Sequence, residues 1–240
     1  MKKLLIGALS LLIFTAGNTF ANDAKVNLVS ISNLVEQVVA AQILTDVYKK
    51  AGLEIDIEPM PGQRAHSLAT DGTKDGETAR IFSYGEKNPT VVRVPTPYSS
   101  LETTAFAKKS ANISISSQED LKKYKVVIVR GVQHTKDMTE GHENVHVIND
   151  AEQMMKFLEG GRADIALNNT ISAKVDLQKL KIADIVPVGT LQTLDLFNYI
   201  HENRKDIVSK VDATIQEMKE SGELKTLREK YEREYLDSIK

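Results

Sequence analysis

The chain has 240 residues, with 31 Lys and Arg against 33 Asp and Glu, few aromatics, and neither Cys nor Trp. Without Cys there are no disulfides and no thiolate metal or redox chemistry, and the balanced charge excludes the basic footprint that nucleic acid or an anionic membrane surface demands. The length suffices for one large domain or for two lobes with real cores, and the scarcity of rings argues against a sugar cleft built on stacked aromatics.

Met1-Lys2-Lys3, the apolar run Leu4 to Ala16 and the small residue Ala21 read as a secretory signal peptide over residues 1–21, with the mature chain starting at Asn22. The run is too short to cross a bilayer comfortably, which leaves a retained anchor as the lesser alternative. No Cys follows it, so the chain is not a lipoprotein; the expected location is the periplasm. Loss of Lys2 and Lys3 moves the formal net charge from −2 to −4.

Lys25 to Ile31 reads as a strand. Ser32 or Asn33 then caps a helix whose stripe is Leu34, Val35, Val38, Val39, Ile43 and Val47, stopped by Gly52. Leu53 to Ile57 is a second strand, Pro59 to Gly62 a turn, and Ala65, Leu68 and Ala69 mark a short helix. Strands follow at Glu77 to Phe82, Val91 to Val94 and Thr103 to Ala107, with Pro95-Thr96-Pro97-Tyr98 between the last two. Ser117-x-x-Asp120 opens a helical turn, Lys125 to Val129 is a buried strand, and Val145 to Ile148 another. Asn149-x-x-Glu152 caps a helix carrying Met154, Met155 and Leu158. A strand at Ile165 to Asn169, a helix near Ile171 to Leu180 and a strand near Ile185 to Val188 lead to a helical tail interrupted at Gly222.

Two segments repeat one device. Gly72-Thr73-Lys74-Asp75-Gly76 and Gly160-Gly161-Arg162-Ala163-Asp164 each close a helix and lead directly into a strand. Gly ends the helix because it adopts the left-handed conformation cheaply. With βαβα alternation, this predicts two related α/β lobes with a cleft between them. The tail must return to cover the first sheet, so the expected division is residues 22–106 plus 191–240 against residues 107–190.

Ala69-x-x-Gly72-x-x-Asp75-Gly76, Val94-Pro95-Thr96-Pro97-Tyr98, Ser117-x-x-Asp120-Leu121-x-x-Tyr124-Lys125-Val126, Arg130-Gly131, Leu158-x-x-Gly161-Arg162-x-Asp164 and Met218-x-x-x-Gly222-x-Leu224 occur in this order. In them the chain resembles the periplasmic solute-binding proteins of family 3, the polar-amino-acid type, over nearly all of the mature sequence. The resemblance implies a type II periplasmic-binding-protein fold, α/β, with two lobes joined by two crossing strands and closing over one small solute. It implies no cofactor, a monomer, and an inner-membrane ABC permease or a membrane sensor as partner.

The departures concern the ligand. Ile31-Ser32-Asn33 runs straight into the helix, where the family has a longer aromatic-containing loop. Glu86-Lys87 fills the slot of the family's carboxylate-binding Glu-Arg, and Lys lacks the bidentate fork of Arg. Val132 and Gln133 stand where Thr or Ser is usual, and Asn169 replaces the acid that pairs with a ligand ammonium. Arg64 and Arg80 are added cations. Arg64 opens a helix, where backbone N–H groups favour anions; it faces either a solute or the surface carboxylates Asp71 and Glu58. Arg80 faces either a solute or a structural partner, Asp75 or Glu77. The candidate ligand residues are therefore Arg64, Arg80, Lys87, Tyr98, Arg130, Gln133, Asn168 and Asn169, and an anionic solute is expected. Asn169 also reads as a helix cap, and Tyr98 as a packing aromatic with its hydroxyl at the cleft edge.

Catalytic and metal residues are not expected. His134, His142 and His146 with Glu140 and Glu143 form the only local metal-like set, and they read better as surface decoration. A dehydratase on the same fold would need a positioned acid, for which Glu77 and Glu86 are the candidates. The expected function is capture of a small solute for an ABC permease, with ligand sensing for a membrane signalling partner as the alternative.

Overall fold

A computed structural model describes residues 25–239, so the expected signal peptide and the cleavage point before Asn22 lie outside the described residues. The strands are β1 (Val26–Ile31), β2 (Ile55–Met60), β3 (Gly76–Ile81), β4 (Val91–Arg93), β5 (Ser99–Lys108), β6 (Val126–Val129), β7 (Val145–Ile148), β8 (Ile165–Asn169) and β9 (Ile185–His201). The helices are α1 (Val35–Lys50), α2 (Gly62–Thr70), α3 (Ser83–Lys87), α4 (Gln118–Leu121), α5 (Gln133–Met138), α6 (Ala151–Glu159), α7 (Thr170–Leu180), α8 (Val208–Glu220) and α9 (Glu223–Ser238).

Several boundaries differ from the sequence reading for local reasons. Neither Ser32 nor Asn33 caps α1: Leu34 holds that position without a side-chain bond, while Asn33 takes a φ of +63° and turns the chain from strand to helix. Pro59 lies inside β2, not in a turn, because β2 is an edge strand that needs no donor there. Asp150, not Asn149, caps α6 by accepting from the Gln153 N–H at 2.8 Å. Asn149 instead accepts from Arg130 Nε. The short helices α3 and α5 carry no apolar stripe and were not foreseen.

The longest correction is β9, a strand of 17 residues that continues past the expected end at Val188 to His201. Gly189 looks like a break in sequence but is a close approach: a Cβ there would lie 1.8 Å from the Ile115 carbonyl oxygen.

The strand order is β2-β1-β3-β9-β5-β8-β6-β7, with β4 on β9. It reads as two copies of one arrangement. Three parallel strands, β2-β1-β3 or β7-β6-β8, are each closed by one antiparallel strand, β9 or β5. Because β5 and β9 pair with each other from Ser99 to Lys108, the ladder is continuous, not two separate sheets. The division into two lobes lies in the cores. Leu28, Ile43, Tyr48, Val211 and Ile215 belong to one cluster, while Phe106, Val127, Met154, Leu158 and Ala173 form another. The tail follows the first core through Met218 and Leu224, but its last turns reach the other lobe: Tyr235, Leu236 and Ile239 pack with Val35, Ile171 and Val175.

Candidate functional site

In each lobe the carboxyl ends of the parallel strands meet the middle of a crossing strand. Arg80 and Ile81 pair with Phe197 and Leu196, and Asn168 and Asn169 with Thr104 and Thr103. Open α/β sheets bind ligands outside these ends. The Gly–Asp units set the geometry. Asp75 accepts from the Asn27 N–H at 2.8 Å, and Asp164 from the Lys125 N–H at 2.8 Å. Each carboxylate thus clamps the start of the neighbouring parallel strand, so the strand ends are held in register on both sides.

On the first lobe the strand end is an ion-pair network. Glu77 is buried; Arg80 Nε donates to its Oε2, and the Tyr84 hydroxyl donates to its Oε1 at 2.5 Å. The Arg80 guanidinium lies 4.8 Å from the Tyr84 ring centroid, and His66 Nδ1 is 3.1 Å from the Tyr84 hydroxyl. Arg80 therefore has the structural partner that the sequence left open, with no acceptor for its terminal nitrogens among the described residues. Glu77, bonded on both oxygens, is not a free acid for elimination chemistry. Arg64 and Lys87 are exposed and make no ion pair among the described residues; Glu58 binds Lys74, and Asp71 accepts from the Thr73 N–H. Beside this network Ile81, Phe82, Ser83, Leu194, Asp195 and Phe197 line a cavity of about 390 Å³.

The second lobe presents amides. Asn169 caps α7, its Oδ1 accepting from the N–H groups of Ile171 and Ser172. Asn168 Oδ1 accepts from the Asn169 N–H, and its Nδ2 is buried without a partner. His134 Nδ1 sits 2.8 Å from Thr103 Oγ1, and burial lowers its pKa, which favours the neutral ring at neutral pH. Gln133 is exposed and donates to Asp137, and Arg130 is exposed on Asn149.

Tyr98 is not at the cleft edge. It is 3% exposed and its hydroxyl donates to the Thr78 carbonyl at 2.8 Å, so it serves the first core. The three histidines of the metal-like set diverge: His134 goes to Thr103, His142 to the Leu121 carbonyl and His146 to the Phe157 ring. Among the described residues no group of three or more His, Asp or Glu is placed to hold a metal ion. A further cavity of about 400 Å³, lined by Ile128, Gln133, Asp137, His142 and Val147, lies against α5 and the edge strand β7.

Where β5 passes from one lobe to the other, Glu102 holds both sides. Its Oε1 pairs with Arg228 of α9 at 3.2 Å, and its Oε2 accepts from Thr170 of α7 at 3.0 Å. Nearby, Ser172 lies 3.4 Å from Glu36, whose pKa burial raises.

Residues 39–234 match the profile of the bacterial extracellular solute-binding proteins, family 3. The chain belongs to that family. An uncharacterized protein of Shewanella oneidensis is 27% identical over 190 residues, 76% of this chain and 72% of that protein. The L-cystine solute receptor of Neisseria gonorrhoeae, in its unliganded open conformation, superposes with a TM-score of 0.72 at 17% identity, over 88% of this chain and 93% of the receptor. A histidine kinase sensor domain similar to periplasmic binding proteins gives 0.62 at 13% identity, over 87% and 96%. These structures share the type II periplasmic-binding-protein fold with this chain.

The residues expected to bind ligand in this family 3 chain lie around the two sets of strand ends. Arg80 lies at the end of β3, and Arg64 and Lys87 lie on α2 and α3. Asn168 and Asn169 lie at the end of β8, with Gln133 and Arg130 around the start of α5. Sequence reasoning missed Phe82, Thr103 and Glu102. An exposed Phe closing a strand was the one readable signal. The other two are polar residues in a crossing strand whose meaning depends on α7 and α9.

Proposed function

We propose that this chain is exported, matures at Asn22 and works in the periplasm as a monomeric solute-binding protein without a cofactor. In this reading a small carboxylate-bearing solute enters the cleft between residues 22–106 plus 191–240 and residues 107–190, and is presented to an inner-membrane ABC permease. The supporting observation is that the carboxyl ends of β3 and β8 pair with β9 and β5, which pair with each other, while Glu102 bonds to both α7 and α9 where the chain crosses.

The charge argument shifts from Arg80 to its neighbours. Glu77 neutralises Arg80, which keeps its terminal N–H groups for hydrogen bonding. Arg64 and Lys87 carry the uncompensated positive charge, and Asn169, occupied as a helix cap, supplies no carboxylate for an ammonium group. Arg130, Gln133 and Asn168 complete the proposed ligand set. The chain acts by binding, not by catalysis.

A thermal-shift and calorimetric screen of residues 22–240 against amino acids, dicarboxylates and phosphorylated compounds tests this. Carboxylate-bearing anions should stabilise most, and Arg64→Ala should weaken them about tenfold, the loss of one charge-assisted hydrogen bond. A cationic amino acid as the best ligand would overturn the charge argument. A second reading, ligand sensing for a membrane signalling partner, is favoured by the likeness to the histidine kinase sensor domain. It predicts that the loaded protein binds a sensor's periplasmic domain and not a permease.

A further inference from the structure

Phe82 is 50% exposed at the end of β3, yet its ring is fixed. The Arg93 guanidinium carbon lies 3.5 Å from the Phe82 ring centroid and 5.1 Å from that of Phe197. Phe197 meets Phe82 edge-on, with centroids 6.0 Å apart and planes at 76°. Among the described residues Arg93 has no carboxylate partner, and its Nε is buried without an acceptor. The guanidinium thus lies against the two rings, an arrangement in which the ring quadrupole attracts the cation. The rest of the Phe82 ring stands open to the cavity of about 390 Å³, a size suited to a small molecule.

We propose that Phe82, backed by Arg93, is the platform on which a planar apolar part of the solute lies, so that the protein selects a carboxylate with an aromatic or similarly flat body. This rests on the solute-binding reading above and names its ligand class. Ile81, Leu194 and Phe197 make the cavity wall apolar, while Asp195 on the same wall is exposed and has no ion-pair partner among the described residues. A carboxylate driven into the cavity would face Asp195, so the apolar end enters and the carboxylate stays toward Arg80 and Arg64. The platform also stands in for the aromatic loop missing between β1 and α1.

The chain lacks Trp, so Phe82→Trp introduces its sole indole. The probes are phenylacetate and indole-3-acetate as flat carboxylates, succinate and citrate as aliphatic ones, and phenylalanine and arginine as amino acids. The flat carboxylates should stabilise the unaltered protein most and change the emission of the Phe82→Trp variant. Phe82→Ala should weaken them about tenfold and leave weaker aliphatic binding within twofold. Phe82→Trp keeps a ring under Arg93 and should hold the parental melting temperature without ligand, while Phe82→Ala strips that ring and should lower it by about 2–4 °C. Equal affinity of the parent and Phe82→Ala for the best flat carboxylate would overturn the platform and leave solute binding intact. An emission change of the same size with every bound solute, flat or not, would overturn it too, since the closing lobe would then be covering the ring. Binding of no solute from any class would overturn the solute-binding reading along with it.

Discussion

The two Gly–Asp units do the same job with different neighbours. By register, Gly76 beside Leu28 corresponds to Ile165 beside Val126, and Asn27 to Lys125. Both Asp side chains clamp the backbone N–H of the adjoining strand at 2.8 Å. After that the lobes part. A Cβ on Gly76 would lie 1.9 Å from the Tyr199 carbonyl oxygen, so only Gly fits there, whereas Ile165 is a fully buried core residue. The first strand then buries the Glu77–Arg80 pair and ends in an exposed Phe82. The second ends in two Asn residues, of which Asn169 starts α7 while Asn168 keeps a buried Nδ2 without a partner. The shared Asp maintains the scaffold, and the residues after it set each half of the cleft apart.

The largest expected effect tests the first lobe's pair. Glu77→Ala leaves Arg80 half-buried without its carboxylate and should cost about 3 kcal/mol. Urea unfolding measures it, and adding Arg80→Ala should restore part of the loss. A cost under about 1 kcal/mol would make the two strand ends alike in energy as well as in backbone.

Removing the clamps compares the lobes directly. Asp75 also takes Arg204 at 3.5 Å, while Asp164 is exposed. Asp75→Ala should therefore cost about 2 kcal/mol and Asp164→Ala about 1 kcal/mol. The reverse order in thermal melts would break the comparison.

Between the lobes, Glu102→Ala removes one carboxylate from both sides of the crossing and should cost about 1 kcal/mol, since the pair is partly solvated. A double-mutant cycle with Arg228→Ala should show coupling, while the same cycle with Lys230→Ala should show none.

The smallest effect lies on the second lobe. Burial, with Glu152 and Asp150 adding to it, raises the pKa of Asp176 to about 6, against the lowering influence of Lys179. A carboxyl that holds its proton longer when folded lends stability at low pH, and this is lost as pH rises from about 4 to about 6. Asp176→Asn should thus stabilise the protein at pH 7 by about 0.5 kcal/mol, after allowance for solvent screening, and give no gain near pH 4. Melting curves across that range check the sign.

Much of the scaffold was legible. Period and punctuation located α1, α2, α6, α7 and the tail helices, as well as β1, β6 and β8, because amphipathic spacing and Gly stops are local properties. The Ser117–Asp120 capping box formed as the sequence indicates. The site was less legible. Arg80 read equally as a ligand residue or an ion-pair member, and Tyr98 as a cleft residue or a packing one. For Arg80 the β-bulge between Glu77 and Arg80 decided which of its two named partners it meets, and for Tyr98 the answer lay outside the local pattern, in the Thr78 carbonyl on a different strand.

By itself the sequence determined the alternation of elements, the paired Gly–Asp devices and the apolar faces, since each follows from short-range sterics and the repeat of helix or strand. Tertiary structure alone decided that β5 and β9 pair along their length and make one sheet of two lobes. It also decided that Glu102 touches both lobes and that Phe82 stands open beside Arg93. Those outcomes depend on which surfaces meet after the chain has doubled back, and a polar or exposed side chain carries no local mark of the partner it will meet.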